Sequence, residues 1–402
     1  MRRLLPALLG LAGLLCAAPA AGAQTWQGPC VDGTLAPTCD FFTGNVRHVA
    51  DGDTIVVDLG TRVEKVRIAG IQAMEQTAYS RDPFARQGAC HALEATARLE
   101  ELVFAARGHV RLSAQDPNSR SGRRWRRSAA LMLNGAWVDI GTTMLTEGHA
   151  LWLPNGREWA YNDRYSVLAQ QAAAQHVGLW NPERCGAGPP AALRVWVNSN
   201  APGDDALRPD GEWVRIKNVD PAAPIDLSGW VVRDSSLNRF TFGPGSVVGP
   251  LETVKIHVGT APDPLSLSFG LGKPLFENAD PDGRYRGDGV YVFDPEGDLR
   301  VAQQYPCRVG CTDPYAGAVE VRALPRADVV VLRNRGDVPV DLDGTRLSVR
   351  RRAQEVGPGA IVEPGAELRV DVGWLRNAGE VVLLDTYDKI PIACASWGDA
   401  AC

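Results

Sequence analysis

The feature that most constrains the fold is an internal repeat in the second half of this 402-residue chain. GEWVRIKNVDPAAPIDLSGWVVR, at 211–233, recurs as ADVVVLRNRGDVPVDLDGTRLSVR at 327–350. GPGSVVGPLETVKIHVG, at 243–259, recurs as GPGAIVEPGAELRVDVG at 357–373. A repeat of this length indicates two copies of one structural unit.

Each repeat alternates short apolar runs with Gly, Pro and Asp turns and shows no helical spacing. This pattern is typical of β-sandwiches. The third shared block, GDGVYVFD and NAGEVVLLD, has a smaller offset, so the second copy lacks an insertion. We expect an all-β sandwich over 193–308 and a divergent second one over 318–402.

The first half of the chain mixes strand and helix patterns. Residues 45–70 alternate as strands, and FARQGACHALEATARLEELVFAA has helical apolar spacing. Two later segments, VDIGTTMLTEGHALWL and REWAYNDRYSVLAQQAAAQHVGLW, also indicate helices. We expect a compact α+β barrel-type domain over 45–184 and a linker over 185–192.

The N-terminus has the pattern of an export signal. Two arginines precede a short apolar run and the small-residue segment AGAQ. We expect cleavage after residue 23, a lead-in pinned by a disulfide over 24–44, and a secreted protein. No later segment has the composition of a transmembrane span.

Eight cysteines remain after the predicted signal. An even number in an exported chain favours disulfides, and eight cysteines allow 105 pairings. The spacing favours local pairs, with one long-range pair left over: Cys30–Cys39, Cys307–Cys311, Cys394–Cys402 and Cys90–Cys185. A zinc site is disfavoured because no Cys-x-x-Cys pair occurs with partner histidines.

The charge is unevenly distributed along the chain. The net charge of the whole chain is −5, yet residues 41–184 hold two more basic than acidic residues. The C-terminal part is acidic. Contact with a polyanion is therefore expected in the N-terminal half.

Three polar residues in VRHVADGDTIVVDLGTRVEKVRIAGIQAMEQ suggest a phosphodiester-cleaving site. Asp53 follows a glycine turn, Arg67 ends a strand, and Glu75 follows eight residues later. Taken singly, Asp53 indicates only a turn, Arg67 indicates a surface ion pair, and Glu75 indicates nothing specific. Together they supply a cation ligand, a phosphate-binding fork and a proton acceptor.

The segment RSGRRWRRSAALML is strongly basic. Its residues can grip a phosphate backbone, and an aromatic ring among them can stack on a base. The alternative is an exposed basic loop. The candidate nucleic-acid-binding residues are Arg120, Arg123, Arg124, Trp125 and Arg126, with Arg127 as a second phosphate clamp.

Five segments in order resemble the thermonuclease (micrococcal-nuclease-like) family: VADGDTIVV, KVRIAGIQAMEQ, RRWRRSAALMLNGAWV, LTEGHALWLPN and AQQAAAQHVGLW. The resemblance spans about 140 residues. It implies a five-stranded OB-fold barrel with three helices, which cleaves DNA and RNA with Ca²⁺.

Matching motif by motif, the resemblance implies that Asp53 binds the metal, Glu75 is the general base, and Arg67 and Arg127 bind phosphate. A one-residue slip to Arg126 stays open. The family usually has Gly-Ile-Asp-Ala-Pro-Glu where this chain has GIQAME. Two weak metal ligands follow from that match: the side chain of Gln72 and the backbone carbonyl of Ala73. An uncharged amide should weaken the cation site.

The repeats resemble the lamin-tail domain, an immunoglobulin-like sandwich. GEWVRIKN, IDLSGWVVRDSSLNRFTFGPGSVV and GDGVYVFDPEGDL carry the match in the first copy. Trp213 and Trp230 are expected in its core. Fold alone does not name a partner.

The sequence therefore predicts a secreted, calcium-dependent nuclease that acts on DNA or RNA without strong sequence preference. Its β-sandwiches would tether it to an envelope or an extracellular polymer. One alternative is a non-catalytic extracellular protein that binds nucleic acid or acts in adhesion. Another is an envelope-associated structural protein.

Overall fold

The computed structural model describes residues 25–31, 36–77, 88–185, 192–200, 204, 207–260, 266–279, 287–349, 352–357, 359–375, 381–386, 390–399 and 401–402. These residues form an α+β unit followed by two all-β units, each with its own buried core. The predicted signal segment lies outside the described residues, as does most of the predicted linker.

The α+β unit contains ten strands and three α-helices among its described residues. The strands are β1 (Thr25–Pro29), β2 (Thr38–Asp51), β3 (Thr54–Asp58), β4 (Val63–Ile68), β5 (Ile71–Ala73), β6 (His109–Ala114), β7 (Arg120–Ser121), β8 (Arg124–Leu133), β9 (Ala136–Asp139) and β10 (Ala150–Trp152). The helices are α1 (Ala92–Ala105), α2 (Ile140–Thr146) and α3 (Asn162–Ala174).

Five strands of this unit form a closed ring of pairings. The order is β2-β3-β4-β8-β6, and β6 pairs again with β2. The pair β4–β8 is parallel, whereas the other pairs in the ring are antiparallel. The inward side chains include Ile55, Val66, Leu112 and Leu131, all at most 1% exposed.

The helices cover the ring with apolar faces. Helix α1 buries Ala95, Leu99 and Leu102, while Leu93 is exposed although the sequence pattern places it on the apolar face. Helix α2 begins at a cap in which the Asp139 carboxylate accepts a hydrogen bond from the Thr142 N–H at 2.7 Å. Helix α3 is shorter than the sequence pattern suggests, because it ends at Ala174 and a 3₁₀ turn follows at Gly178–Trp180.

The first β-sandwich places two four-stranded sheets face to face, in the orders β11-β12-β17-β18 and β15-β14-β19-β20. Trp213 and Trp230 are buried, as the sequence predicts. The strands are β11 (Leu193–Asn198), β12 (Trp213–Asn218), β13 (Ile225–Asp226), β14 (Val231–Asp234), β15 (Arg239–Thr241), β16 (Val247–Val248), β17 (Thr253–His257), β18 (Leu267–Ser268), β19 (Asp288–Phe293) and β20 (Leu299–Tyr305).

The second β-sandwich repeats this plan with one strand fewer among its described residues. Its sheets have the orders β21-β22-β27 and β25-β24-β28-β29. The strands are β21 (Val319–Leu324), β22 (Val329–Asn334), β23 (Val340–Asp341), β24 (Thr345–Val349), β25 (Arg352–Glu355), β26 (Ile361–Val362), β27 (Glu367–Asp371), β28 (Val381–Thr386) and β29 (Pro391–Ser396).

The four cysteine pairs that the sequence favours are all disulfide-compatible. Their Cα–Cα distances run from 5.0 to 6.1 Å, within the range of natural disulfides. Cys30–Cys39 closes the strand pair at the lead-in, and Cys90–Cys185 joins the start of α1 to the end of the α+β unit.

Two joints connect the three units. The α+β unit and the first sandwich share a cluster of buried apolar side chains, the apolar joint: Met74, Ala92, Leu151, Leu179, Tyr291 and Phe293. The two sandwiches meet through a polar joint of ion pairs: Arg194–Asp313, Lys217–Asp341 and Arg215–Glu355. No helix within the described parts of the chain is long and apolar enough to span a membrane.

Candidate nuclease site

Asp53 lies in the tight turn between β2 and β3, with 4% of its surface exposed. The turn can approach the rest of the unit because residue 52 is glycine. A Cβ at Gly52 would lie 2.7 Å from the Ala73 Cβ and 2.8 Å from the Ala95 Cβ. The Asp-Gly signal therefore marks both a turn and a carboxylate that is carried into the protein.

The Asp53 carboxylate is bound from three sides. Its Oδ1 atom forms an ion pair with Arg67 and accepts a hydrogen bond from the Thr54 hydroxyl at 3.0 Å. Its Oδ2 atom accepts one from the Ala73 N–H at 2.8 Å. Burial raises the pKa of Asp53 to about 7, while the Arg67 guanidinium opposes that rise.

Gln72 connects Arg67 to Glu75. Its Oε1 atom accepts a hydrogen bond from Arg67 Nη2 at 2.5 Å, and its Nε2 atom donates to Glu75 Oε1 at 2.9 Å. Nε2 also donates to the Ala73 carbonyl at 3.0 Å. The structure thus brings five of the sequence-predicted site residues into one network: Asp53, Arg67, Gln72, Ala73 and Glu75.

This donor set does not fit Ca²⁺ in the arrangement observed. Calcium takes six to eight oxygen ligands, several of them charged. Here Arg67 takes the cation position beside Asp53, and the oxygens of Gln72 and Ala73 accept N–H donors. Within the described residues, no group of three or more His, Cys, Asp or Glu side chains is placed to hold a metal.

The basic residues of strand β8 lie on its two opposite faces. Arg126 pairs with Arg67 across the parallel β4–β8 ladder, and Thr54 pairs with Arg67 on the other side. These three residues therefore form one row across neighbouring strands. Arg124, two residues before Arg126, donates to the Thr54 hydroxyl at 3.0 Å. Burial and the nearby Arg67 guanidinium both lower the pKa of Arg126.

Arg127 lies outside this row, which differs from the expectation that it joins Arg67 at a phosphate. Its guanidinium donates to the carbonyls of Ser119 and Pro117, at 3.0 and 2.7 Å. It is 1% exposed. Since successive residues of a strand point to opposite faces, the residue beside Arg67 is Arg126.

Trp125 does not offer a face for base stacking, so the expectation for this residue is corrected. It is 5% exposed and packs in the core near Phe42, with ring centroids 5.9 Å apart. The guanidinium groups of Arg62 and Arg127 lie 4.5 and 4.4 Å from its centroid. The ring anchors cations and is not a surface platform.

The remaining predicted nucleic-acid contacts lie at the tip of the β7–β8 hairpin. Arg120 and Arg123 are exposed, and Arg124 is half-buried at the edge of the row described above. These side chains extend a basic surface from the Asp53–Arg67 network toward solvent. Thr54 was not among the predicted site residues, although its position directly after Asp53 in DGDT was an available signal.

Comparisons with known proteins give two matches to parts of this chain. The family model described as Lamin Tail Domain matches residues 193–306. Micrococcal nuclease from Shigella flexneri is 26% identical over 152 residues, which cover 36% of this chain and 77% of that protein. The chain is thus similar to a nuclease over part of its length and contains a segment that matches the lamin-tail family.

Proposed function

We propose that the α+β unit hydrolyses phosphodiester bonds of DNA or RNA without strong sequence preference. The observation that carries this proposal is the network of Asp53, Arg67, Gln72 and Glu75, which adjoins Arg126. It combines two cations for a phosphate group with a carboxylate that can accept a proton. The similarity to micrococcal nuclease supports the same reaction class.

In this mechanism the water oxygen attacks phosphorus while Glu75 accepts its proton; the bond from phosphorus to the leaving sugar oxygen breaks, and that oxygen takes a proton from solvent. Arg67 and Arg126 neutralise the charge on the phosphoryl oxygens. A guanidinium has five N–H donors, so Arg67 can keep Asp53 and Gln72 as partners while it binds phosphate. Gln72 holds Glu75 at a set position relative to Arg67. Exposed Arg120 and Arg123 bind the nucleic-acid backbone on either side, which is a contact without base specificity.

Calcium enters this proposal through the family resemblance alone. Because the donors observed do not fit the ion, we derive no step through it. Gln72→Asp tests this point, since it places a second carboxylate beside Asp53. We expect this variant to bind calcium more tightly than the wild type in isothermal titration. Equal affinity would remove residue 72 from any cation site.

The barrel type, secretion, the identity of the second sandwich and a tethering role are part of the same proposal. The closed ring of β2, β3, β4, β8 and β6 is consistent with an OB-fold barrel. The cysteine pairs are consistent with secretion into an oxidising compartment. The second β-sandwich, which repeats the sheet order of the first, is a divergent lamin-tail unit. Both sandwiches tether the enzyme to an envelope or extracellular polymer.

The test is cleavage of plasmid DNA and of RNA by residues 24–402, with calcium or with EDTA. We expect the wild type to cleave, and Glu75→Gln and Arg67→Ala to lose about 100-fold or more in kcat. Glu100→Gln and Arg164→Ala, which change exposed helical residues of the same types, serve as controls. Wild-type rates in Glu75→Gln would exclude this assignment.

A second candidate is binding of nucleic acid without cleavage. It is favoured by the pairing of Asp53 with Arg67 and by Gln72 at a position where the family has a carboxylate. A gel shift without cleavage, with or without calcium, would support it. That binding should weaken steeply with salt, because contacts to phosphates release counterions.

A further inference from the structure

We infer that the first β-sandwich is a positioning element of the nuclease site, which it reaches through Met74. This inference deepens the proposed function and rests on it. Met74 stands between Ala73, which binds Asp53, and Glu75, the proposed base. A module that would otherwise be only a tether therefore packs on the segment that carries the reacting groups.

The contact is a small core shared by the two units. Met74 is 3% exposed and lies in one buried cluster with Tyr291 and Phe293 of β19. Trp180, at the end of the α+β unit, is tilted against Tyr291 with ring centroids 6.2 Å apart. Burial of this kind is the main favourable term in holding two protein surfaces together.

Arg233 of β14 adds a specific contact to this core. Its guanidinium lies 4.8 Å from the centroid of the Phe293 ring, and Nη2 lies 3.7 Å from the Met74 sulfur. Arg233 is 3% exposed. A buried cation that packs on both Met74 and Phe293 restricts where the Met74 side chain can lie.

The first sandwich also lies near Ala89, a residue from a second chain segment that is hydrogen-bonded to Glu75. The Glu75 carbonyl accepts a hydrogen bond from the Ala89 N–H at 2.8 Å. Ala89 packs against the same apolar joint, and its Cα lies 4.0 Å from the position that a Cβ would take on Gly297. Met74, which precedes Glu75 in the chain, and Ala89, which is hydrogen-bonded to it, therefore both pack against the first sandwich.

A polar contact away from the site sets the orientation of the two units. Gln170 of α3 donates to the Pro306 carbonyl at 3.0 Å and accepts from the Arg308 N–H at 2.6 Å. A buried amide bonded on both sides opposes sliding of one unit over the other. The apolar joint and this contact together fix the position of Met74.

The experiment compares Tyr291→Ser with Tyr291→Phe in residues 24–402. Leu383→Ser is the matched control, because Leu383 faces Ser348 in the second sandwich as Tyr291 faces Arg233 in the first. Two quantities are measured: hydrogen exchange of the amides of residues 72–76, and kcat and KM on DNA.

We expect Tyr291→Ser to speed exchange at residues 72–76 by about tenfold or more and to lower kcat by about the same factor. KM should change less, because Arg67 and Arg126 lie on β4 and β8, and neither strand contributes a side chain to the joint. Tyr291→Phe should retain both values, since it keeps the ring. Leu383→Ser should leave both unchanged.

Unchanged exchange at residues 72–76 in Tyr291→Ser would overturn the inference, as would faster exchange spread evenly over the α+β unit. If Tyr291→Ser does not fold, Val231→Ser, at the border of the joint, replaces it under the same criteria. If the wild type cleaves no nucleic acid, the proposed function fails, while exchange at residues 72–76 still decides whether the sandwich positions this segment.

Discussion

The two β-sandwiches share one plan but present opposite outer faces. In the first, Val231 of β14 pairs with Phe293 of β19; Phe293 belongs to the apolar joint, and Val231 packs against it. At the equivalent register of the second, Arg346 pairs with Asp385 and forms an ion pair with it at 2.9 Å. The first sandwich therefore presents an apolar surface to a neighbouring unit, whereas the second carries an internal ion pair at the same place.

The inner faces of the same strands did not diverge in this way. Val232 and Val292 in the first copy, and Leu347 and Leu384 in the second, are all fully buried. Because side chains alternate along a strand, one face can preserve the core while the other changes its partner. The difference teaches that the fold of a module and its place in the assembly are set by alternate residues of the same strands.

The strongest test of this comparison transplants the charged pair into the first sandwich. Val231→Arg with Phe293→Asp places two charges in the apolar joint, where desolvation opposes them. We expect the joint to open and cleavage to fall about 100-fold, because small displacements of catalytic groups have large effects. Initial rates and small-angle scattering measure both results. A compact, fully active variant would show that the joint does not matter for the site.

The polar joint between the sandwiches should affect stability and not cleavage. Lys217→Met leaves Asp341 without its cation, and both side chains are less than a tenth exposed. We expect a loss of about 3 kcal/mol of unfolding free energy, measured in urea, with unchanged rates on DNA. The exposed Lys273→Met is the control. A loss of cleavage in Lys217→Met would make the two joints equivalent.

The apolar joint should weaken in acid. His91, directly before Ala92 of the joint, lies 2.9 Å from His149, and burial followed by the His149 charge lowers its pKa to about 4. The neutral ring is favoured in the folded state, so stability is present above the ordinary pKa of 6.5 and is lost as pH falls toward 4.

We expect the wild type to lose about 1 kcal/mol of unfolding free energy between pH 6.5 and about pH 5. His91→Asn should lose less, since it removes the titrating group and tolerates the left-handed backbone at residue 91. His176→Asn is the matched control, because His176 is also left-handed but exposed. Parallel pH profiles for the wild type and His91→Asn would contradict this explanation.

The smallest effect is expected from the reciprocal transplant. Arg346→Val with Asp385→Phe gives the second sandwich the apolar pair of the first. Replacing a buried ion pair by apolar residues is often neutral, so thermal unfolding should shift by about 1 kcal/mol or less. New association on size-exclusion chromatography would show that the apolar pair alone creates a docking face.

The predicted site residues that lie in one network in the structure are also close in the chain. Asp53 directly precedes β3 and Arg67 lies on β4, and these two strands are antiparallel neighbours that a short turn joins. Gln72 and Glu75 follow within a few residues. A local motif therefore carries most of the network. The sheet order repeated in the two sandwiches was likewise visible as a repeat.

What the sequence could not decide depends on distant register. Whether Arg126 or Arg127 faces Arg67 is set by the parallel pairing of β4 with β8, which are about 60 residues apart. The alternation of side chains along β8 is compatible with either arginine facing Arg67 until that register is known. The packing of Met74 on Tyr291 joins residues more than 200 positions apart, and no local pattern indicates it.

The disulfide between Cys90 and Cys185 has a consequence for where the protein can work. Both of its ends lie in the α+β unit, and it closes a loop of 95 residues that contains Ala92, Leu151 and Leu179 of the apolar joint. For a loop of that length, chain entropy gives roughly 4–5 kcal/mol. Thiol reduction would remove that constraint without altering any group that touches substrate. In a reducing compartment, the part of the apolar joint inside this loop would be held less tightly at the Met74 contact than in an oxidising one.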